Sequence, residues 1–349
     1  MNREIVFKIF RFNAEFDYQP HYDSFTISVA QGEVVLDALS RIKAEQDTTI
    51  AFRRSCRHGI CGSCALKVCG QSLLACKSNI FALADRYGET LTIEPLDTRL
   101  AVKDLIVDKT HFWQSYKKVK PYLIAAVDPA PKQENLILPE AVDRLDGADS
   151  CIQCGACFYA CPVATENDRF LGPAALSKAF RFAADSRDNA TIDRLRQIGE
   201  AGSGAWECVK CGECAEACPK SVSPIDKIAK LKNMSFERSC APNSVATRHA
   251  EAFKTSVARY GRLDETASVI ESVGIFGALK QTREAFAMLR HGKLPLITKK
   301  IGRLDEVKTL IAVASRTVAK PAKIERVKKN LRDPALAMEN EPHDHKEVR

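Results

Sequence analysis

A chain of 349 residues has room for two or three domains, and a hydrophobic fraction of 45% permits a packed core. Fourteen cysteines, behind an N-terminus (Met1-Asn2-Arg3-Glu4-Ile5) that meets charge at once and has no apolar leader, favour metal ligation in a reducing compartment over a disulfide framework. No window approaches the roughly eighteen uncharged apolar residues of a membrane span. The net charge of +8 lies in residues 241–349, which hold 21 Lys+Arg against 13 Asp+Glu, while residues 1–240 balance. Aromatic residues are sparse in that basic region and no groove-reading motif occurs, which argues against nucleic acid. A docking surface for a partner or for anionic headgroups fits better.

In chain order, residues 4–12 alternate Ile5, Phe7 and Ile9 with polar or mixed neighbours, and residues 25–29 alternate Phe25, Ile27 and Val29. Both read as strands of one hairpin. Gln31-Gly32 closes the second strand, and Val35, Leu39 and Ile42 then mark a helix face. Strand, strand, helix and a cysteine loop is the order of a β-grasp ferredoxin. A short hairpin is predicted to turn at Gly70-Gln71, with Cys69 a strand residue on the face of Lys67 and Gln71. Leu91–Pro95 is the last strand, and Val107–Tyr122 reads as an aromatic, basic linker.

The remainder is predicted helical. Pro173 opens a helix facing inward with Leu176, Ala179, Phe180 and Ala183. Thr191 caps another, with Ile192, Leu195 and Ile198 inward, and Ser223-Pro224 caps a third, with Ile225, Ile228 and Leu231 inward. Further on, Val269, Ile270, Val273 and Phe276 make one apolar face, and Ala285, Met288 and Leu289 another. A helical stretch follows near Leu304–Ala314. Residues after about 335 read as disordered. The expected fold class is α+β. Residues 1–106 form a β-grasp [2Fe–2S] ferredoxin domain, 107–236 an α-helical ferredoxin domain, and 237–349 a basic, mainly helical extension.

The chemistry is written in three cysteine runs. Cys56, Cys61 and Cys64 follow C-x4-C-x2-C, the plant-type [2Fe–2S] spacing, and Cys76 supplies the fourth thiolate. Gly59 and Gly62 let the backbone bend toward the sulfides, where its N–H groups can donate. Arg53, Arg54 and Arg57 rim the loop. A ligand role for His58 is disfavoured, since a Rieske centre needs two histidines. Downstream, Cys151, Cys154, Cys157, Cys161 and Pro162 follow C-x2-C-x2-C-x3-C-P, and Cys208, Cys211, Cys214, Cys218 and Pro219 repeat it. In two-cluster ferredoxins the fourth Cys of each run ligates the other run's cluster. By that rule Cys151, Cys154, Cys157 and Cys218 hold one cubane, and Cys208, Cys211, Cys214 and Cys161 the second. Zinc is the weaker reading, because structural zinc prefers two well-separated ligand pairs. Cys240 stands alone.

This order of motifs resembles the iron–sulfur subunit of succinate dehydrogenase and fumarate reductase over roughly residues 1–235. The resemblance rests on Phe52-Arg53-Arg54-Ser55-Cys56-Arg57, the short Cys64–Cys76 gap, Leu171-Gly172-Pro173-Ala174-Ala175, Asp185-Ser186-Arg187-Asp188 and Cys218-Pro219-Lys220. It implies an electron-transfer subunit with no substrate-converting site of its own. The chain would relay single electrons between a flavoprotein subunit carrying FAD and a quinone-reactive partner. Two departures stand out. Cys211 occupies a position where the quinone-linked members have a non-cysteine residue beside a [3Fe–4S] cluster, which here implies a second [4Fe–4S]. The tryptophans and histidine of the family's quinone pocket are missing from Pro162-Val163-Ala164-Thr165-Glu166 and Cys208-Val209. Both resemble the non-classical, methylmenaquinol:fumarate reductase-like type, whose third partner is a cysteine-rich, heterodisulfide-reductase-like subunit. Gly292-Lys293-Leu294-Pro295-Leu296 and Asp305-Glu306-Val307 look like tails of heterodisulfide-reductase subunits. The implied location is peripheral, in a membrane-associated complex. The cytoplasmic side is the default, and the periplasmic side applies if a partner carries an export signal. Other flavin-linked dehydrogenases and a free multi-cluster carrier are the competing assignments.

Overall fold

The protein is described from a computed structural model covering residues 2–125, 134–280, 282–293 and 298–318. Leu294-Pro295-Leu296 and the tail after residue 335 lie outside these. Strands β1 (Asn2–Arg11) and β2 (His21–Ala30) pair antiparallel, with Ile5 opposite Ile27 and Phe7 opposite Phe25. Alternation sends Ile5, Phe7 and Ile9 inward, fully buried, so the hairpin has one apolar face. Helix α1 (Val35–Glu45) covers that face with Val35, Leu36, Leu39 and Ile42. Strands β3 (Ala65–Val68) and β4 (Gln71–Leu74), helix α2 (Ile80–Tyr87) and strand β5 (Thr90–Glu94) complete the unit. The strand order is β2-β1-β5-β3-β4, with β1 and β5 parallel. This is the mixed sheet of a β-grasp fold with α1 laid across it. Strands β6 (Ala101–Lys103) and β7 (Ile106–Val107) form a small second ribbon.

The β3–β4 turn falls one residue earlier than expected. Cys69 and Gly70 both take positive φ, 48° and 80°, and β4 already begins at Gln71. Two left-handed residues are the signature of a tight two-residue hairpin turn. Cys69 is therefore a turn residue, its N–H donating to Thr92 O at 2.8 Å, and not a strand residue with a facing side chain.

The supposed linker is also structured. Helix α3 (Thr110–Lys118) buries Phe112, Ser115 and Tyr116. Phe112 stacks on Tyr116 at 6.0 Å and meets Phe158 edge-on at 5.6 Å. Through these rings the core runs without a break from the sheet into the helical part. Helices α4 (Pro139–Asp143), α5 (Ala156–Tyr159) and α6 (Pro162–Glu166) come next. Helix α7 (Gly172–Ala183) is buried along most of its length, and α8 (Thr191–Ile198) packs on it. Of the three apolar residues expected inward on α8, only Leu195 and Ile198 are buried. Ile192 is half-buried, and Ala190, not Thr191, holds the cap position. Helices α9 (Glu213–Glu216) and α10 (Pro224–Glu237) close this part. Pro224 stands at the first turn of α10 as expected, but the Ser223 hydroxyl bonds Asp226 Oδ2 at 2.6 Å instead of capping a backbone N–H.

The extension contains α11 (Val245–Tyr260), α12 (Glu265–Lys280), α13 (Thr282–Arg290) and α14 (Leu304–Val318). The apolar face expected at residues 269–276 is not buried. Gly274 breaks α12 with φ 77° and ψ 168°, so the second part of the helix is rotated relative to the first, and Phe276 is 84% exposed. Met288 and Leu289 are exposed as well. The buried residues of α12 are Ser268 and Ser272. No helix of the described residues is long and apolar enough to cross a membrane.

Candidate metal centres

The first cysteine loop connects α1 to β3. Its backbone winds through positive φ at Arg57, Gly59 and Gly62. This turns the N–H groups of His58 and Cys61 toward Cys56 Sγ, at 3.4 and 3.3 Å. Cys64 ends the loop and Cys76 comes just after β4. The β3–β4 ladder continues past its strands, with Ala75 N donating to Cys64 O at 3.1 Å, and so brings the two cysteines side by side. Cys64 and Cys76 are buried, Cys56 half-buried and Cys61 exposed. Hydrogen bonds from the Ser63 hydroxyl and from backbone N–H groups lower the Cys61 thiol to about 6. Burial, with Cys76 and Cys61 close by, raises Cys64 to about 11. His58 points to solvent, and Arg54 is held by Ser40 Oγ at 2.9 Å.

The second and third loops repeat one backbone. Gln153 and Lys210 have φ of 56° and 58°, and Gly155 and Gly212 have φ of 92° and 94°. Each glycine launches a one-turn helix, α5 or α9, that carries the third cysteine of its run. The fourth cysteine lies past the end of that helix. The chain therefore folds across: Cys218 joins Cys151, Cys154 and Cys157 in lining one pocket. Cys161 joins Cys208, Cys211 and Cys214 in lining another. Among the described residues no three His, Cys, Asp or Glu side chains close on a point as a single-ion site does. The four-thiol sets surround volumes instead.

The surroundings suit a polynuclear sulfur cluster. Ser177 Oγ, on α7, is buried with no hydrogen-bond partner, and its residue lines the pocket of Cys151, Cys154, Cys157 and Cys218. A donor hydroxyl left in this way needs an acceptor. Val222 N approaches Cys218 Sγ at 3.4 Å, and the N–H groups of Val163 and Ala164 at the start of α6 favour a thiolate at Cys161. Burial pushes the thiols of Cys151, Cys154, Cys157 and Cys161 upward and raises Cys214 to about 12. Holding such groups as thiolates requires local positive charge, which bound iron supplies. The protein adds its own: Lys109 Nζ donates to Cys154 O at 2.7 Å, and Lys232 Nζ to Cys208 O at 3.1 Å. Burial pulls Lys109, Lys178 and Lys232 below the usual amine range, while neighbouring cysteines oppose that pull. Ser177, Lys109 and Lys232 escaped the sequence reading. Each lies on a helix or turn far from the cysteine runs in sequence, so no spacing rule exposes them. The third set is open to solvent on one side, as the first is at Cys61: Cys211 is exposed and Val209, beside Cys208, is 67% exposed.

Comparison with known proteins bears on identity. The family model described as a 2Fe-2S iron-sulfur cluster binding domain matches residues 6–114, and a 4Fe-4S dicluster domain matches residues 147–222. The succinate dehydrogenase iron-sulfur subunit of Paracoccus denitrificans is 41% identical over 234 residues, 66% of this chain and 88% of that one. The mitochondrial succinate dehydrogenase (ubiquinone) iron-sulfur subunit 3 of Arabidopsis thaliana is 37% identical over 230 residues, 65% of this chain and 74% of the relative. Among solved structures, a chain of the Mycobacterium smegmatis Sdh1 complex in the apo form shares the fold. Its TM-score is 0.58 at 24% identity, over 70% of this chain and 100% of that one. With most of a relative's length matched at this identity, and with both cluster domains present in order, the chain belongs to the iron–sulfur subunits of succinate dehydrogenase.

Proposed function

We propose that this chain relays single electrons between an FAD-bearing flavoprotein subunit and a quinone-reactive partner in a succinate dehydrogenase/fumarate reductase complex. Cys56, Cys61, Cys64 and Cys76 hold a [2Fe–2S] cluster nearest the flavin. Cys151, Cys154, Cys157 and Cys218 hold a [4Fe–4S] cluster in the middle. Cys161, Cys208, Cys211 and Cys214 hold a second [4Fe–4S] facing the quinone-reactive side. When bound, these clusters supply one-electron redox chemistry. The protein's part is to hold them at fixed places, keep water out and set their potentials. The crossed grouping of four cysteines around each of two neighbouring cavities carries this reading, because it needs both runs folded together.

Each group has a task under this proposal. The apolar walls of the third cavity, Val163, Phe170, Ile225 and Ile228, exclude water from one side, while exposed Cys211 and Val209 leave the other open to a partner. Lys232 and Lys109 hold the carbonyls of Cys208 and Cys154, and their charge favours electron uptake nearby. Oxidation of the dicarboxylate belongs to the flavoprotein.

The third partner in this reading is a cysteine-rich, heterodisulfide-reductase-like subunit, as in the non-classical members of the family. Two features support it: the fourth thiol at Cys211, and the absence of tryptophan and histidine at 163–166 and 209. The extension docks that subunit, and the complex attaches to the membrane peripherally through it. The test is a low-temperature EPR spectrum of the complex, purified anaerobically through a tag on this chain, before and after succinate. The expected result is a [2Fe–2S] signal that rises on adding succinate. If dithionite raises the signals, succinate raises none with flavin bound, and fumarate fails to reoxidise the reduced sample, the assignment fails.

A further inference from the structure

The loop that carries Cys61 and Cys64 touches the loop that carries Cys154, and it does so at a glycine. Gly62 is buried with φ 69°. A Cβ placed on it would lie 2.8 Å from Cys154 Cα, 2.8 Å from Cys154 Cβ and 2.9 Å from Ile152 O. Real Cβ atoms do not approach backbone this closely, so any other residue must push the two loops apart. On the other side of Cys154, Lys109 Nζ donates to its carbonyl at 2.7 Å. Lys109 is fixed in place: it precedes α3, whose Phe112 and Tyr116 are in the core, and Tyr159 OH bonds the carbonyl of adjacent Asp108 at 2.8 Å. Its ammonium feels both Cys154 and Cys61. Two ligand loops thus meet backbone to backbone, with one half-buried cation beside them.

We infer that the Gly62–Cys154 contact, flanked by Lys109, is where the electron crosses between the β-grasp centre and the first centre of the dicluster domain. One electron leaves one centre and enters the other; no bond is made and no proton is carried. Gly62 is a positioning residue, holding the separation at backbone contact. Lys109 acts as a shared charge that favours the reduced form on both sides. The inference rests on the relay reading above.

A matched control exists in the same chain. Gly212 occupies the equivalent place in Cys211-Gly212-Glu213-Cys214, with φ 94°, and a Cβ there meets nothing within 4 Å. Gly62→Ala and Gly212→Ala share the cost of a left-handed alanine, but only the first forces loops apart. Each variant complex is reduced with dithionite, and iron and spins are counted. The microwave power saturation of the [2Fe–2S] signal then reports how strongly the neighbouring reduced centre relaxes it. Gly62→Ala is expected to keep its spins but saturate at lower power, with Gly212→Ala unchanged from wild type. In parallel, redox titration of Lys109→Met is expected to lower the midpoint of both centres, toward a tenfold change in each equilibrium, about 59 mV for a one-electron couple. Lys109→Arg should restore both. Wild-type relaxation in a fully loaded Gly62→Ala complex, or the same loss in Gly212→Ala, overturns the inference while leaving the relay reading intact. So does a Lys109→Met shift in one centre alone or in neither. If Gly62→Ala loses iron, the Lys109 pair decides on its own. A wild-type complex without two reducible centres in these domains overturns the relay reading and this inference together.

Discussion

At the scale of single residues, Cys211 divides two kinds of third centre. Its position lies between Cys208 and Cys214 on the rim of the cavity shared with Cys161, and its side chain is exposed. A fourth thiolate there completes a cubane, and its added negative charge lowers the potential. Under the proposed assignment, replacing it removes one iron ligand from a site whose other three are held by α6, α9 and the turn before them. Cys211→Ala is therefore expected to lower the iron content by about one atom per chain, with three thiolates left to hold a smaller cluster. An oxidised three-iron EPR signal should appear in air-free samples where wild type gives none. Iron analysis and EPR on parallel preparations check this. A three-iron signal of full intensity already present in air-free wild type would show that Cys211 is not a ligand.

At the scale of elements, the Asp185-Ser186-Arg187-Asp188 stretch is a latch between helices. Asp185 accepts from Arg181 and Arg187, each at 2.7 Å. Asp188 takes both prongs of Arg194, at 3.1 and 2.8 Å, and accepts from the N–H groups of Ile124 and Ala190. The same guanidinium donates to the carbonyls of Val119, Lys120 and Tyr122. Every N–H donor of a buried arginine is thus used, and the segment after α3 is tied to α8. Cutting one side leaves an uncompensated buried charge, which costs roughly 3–5 kcal/mol. Asp188→Ala should lower thermal stability by that order, with calorimetry or fluorescence melts as the measure. Combining it with Arg194→Met should recover part of the loss, because the orphaned charge is gone. Sequence reading reached the motif but not its job, since Asp188 works through Arg194, whose other acceptors are backbone carbonyls some seventy residues away. The sheet was legible because strict alternation at Ile5, Phe7 and Ile9 has one solution. Helix α3 was not, although Phe112 and Tyr116 stand four apart. A single apolar pair among lysines resembles a linker until Phe158 arrives from elsewhere to cover it. The apolar pattern of α12 misled for a local reason: Gly274 rotates the helix midway, so residues before and after it no longer share a face.

At the scale of the whole molecule, the contrast between body and extension is one of inside against outside. From Ile5 to Leu231 the apolar side chains merge into one core, and the three cysteine sets sit within or against it. Beyond Ser244 the pattern inverts. Helices α11 and α12 face each other with small polar groups: Ser256 Oγ bonds Arg262 O, His249 Nδ1 pairs with Ser272 Oγ, and Arg248 Nε reaches Ser272 O. Ile275, Phe276, Leu279, Phe286 and Leu310 remain exposed. Isolated apolar side chains on a surface mean little, but five large ones in one helical unit are what a docking surface offers. The unit also carries the net positive charge of the chain. A docking role explains both, and it separates cleanly from electron relay, because the cysteine sets lie wholly before residue 219. Removing residues 245–349 is expected to leave the iron content, the EPR signals of the centres and co-purification of the flavoprotein unchanged. The proposed third subunit should drop out of the preparation, along with membrane sedimentation of the complex. The measurement is the stoichiometry of subunits retained on a tag at residue 2, with iron per chain as the internal control. If the truncated chain retains the third subunit in full, docking belongs to the open rim of the third centre, at Val209 and Cys211, and the extension serves another purpose.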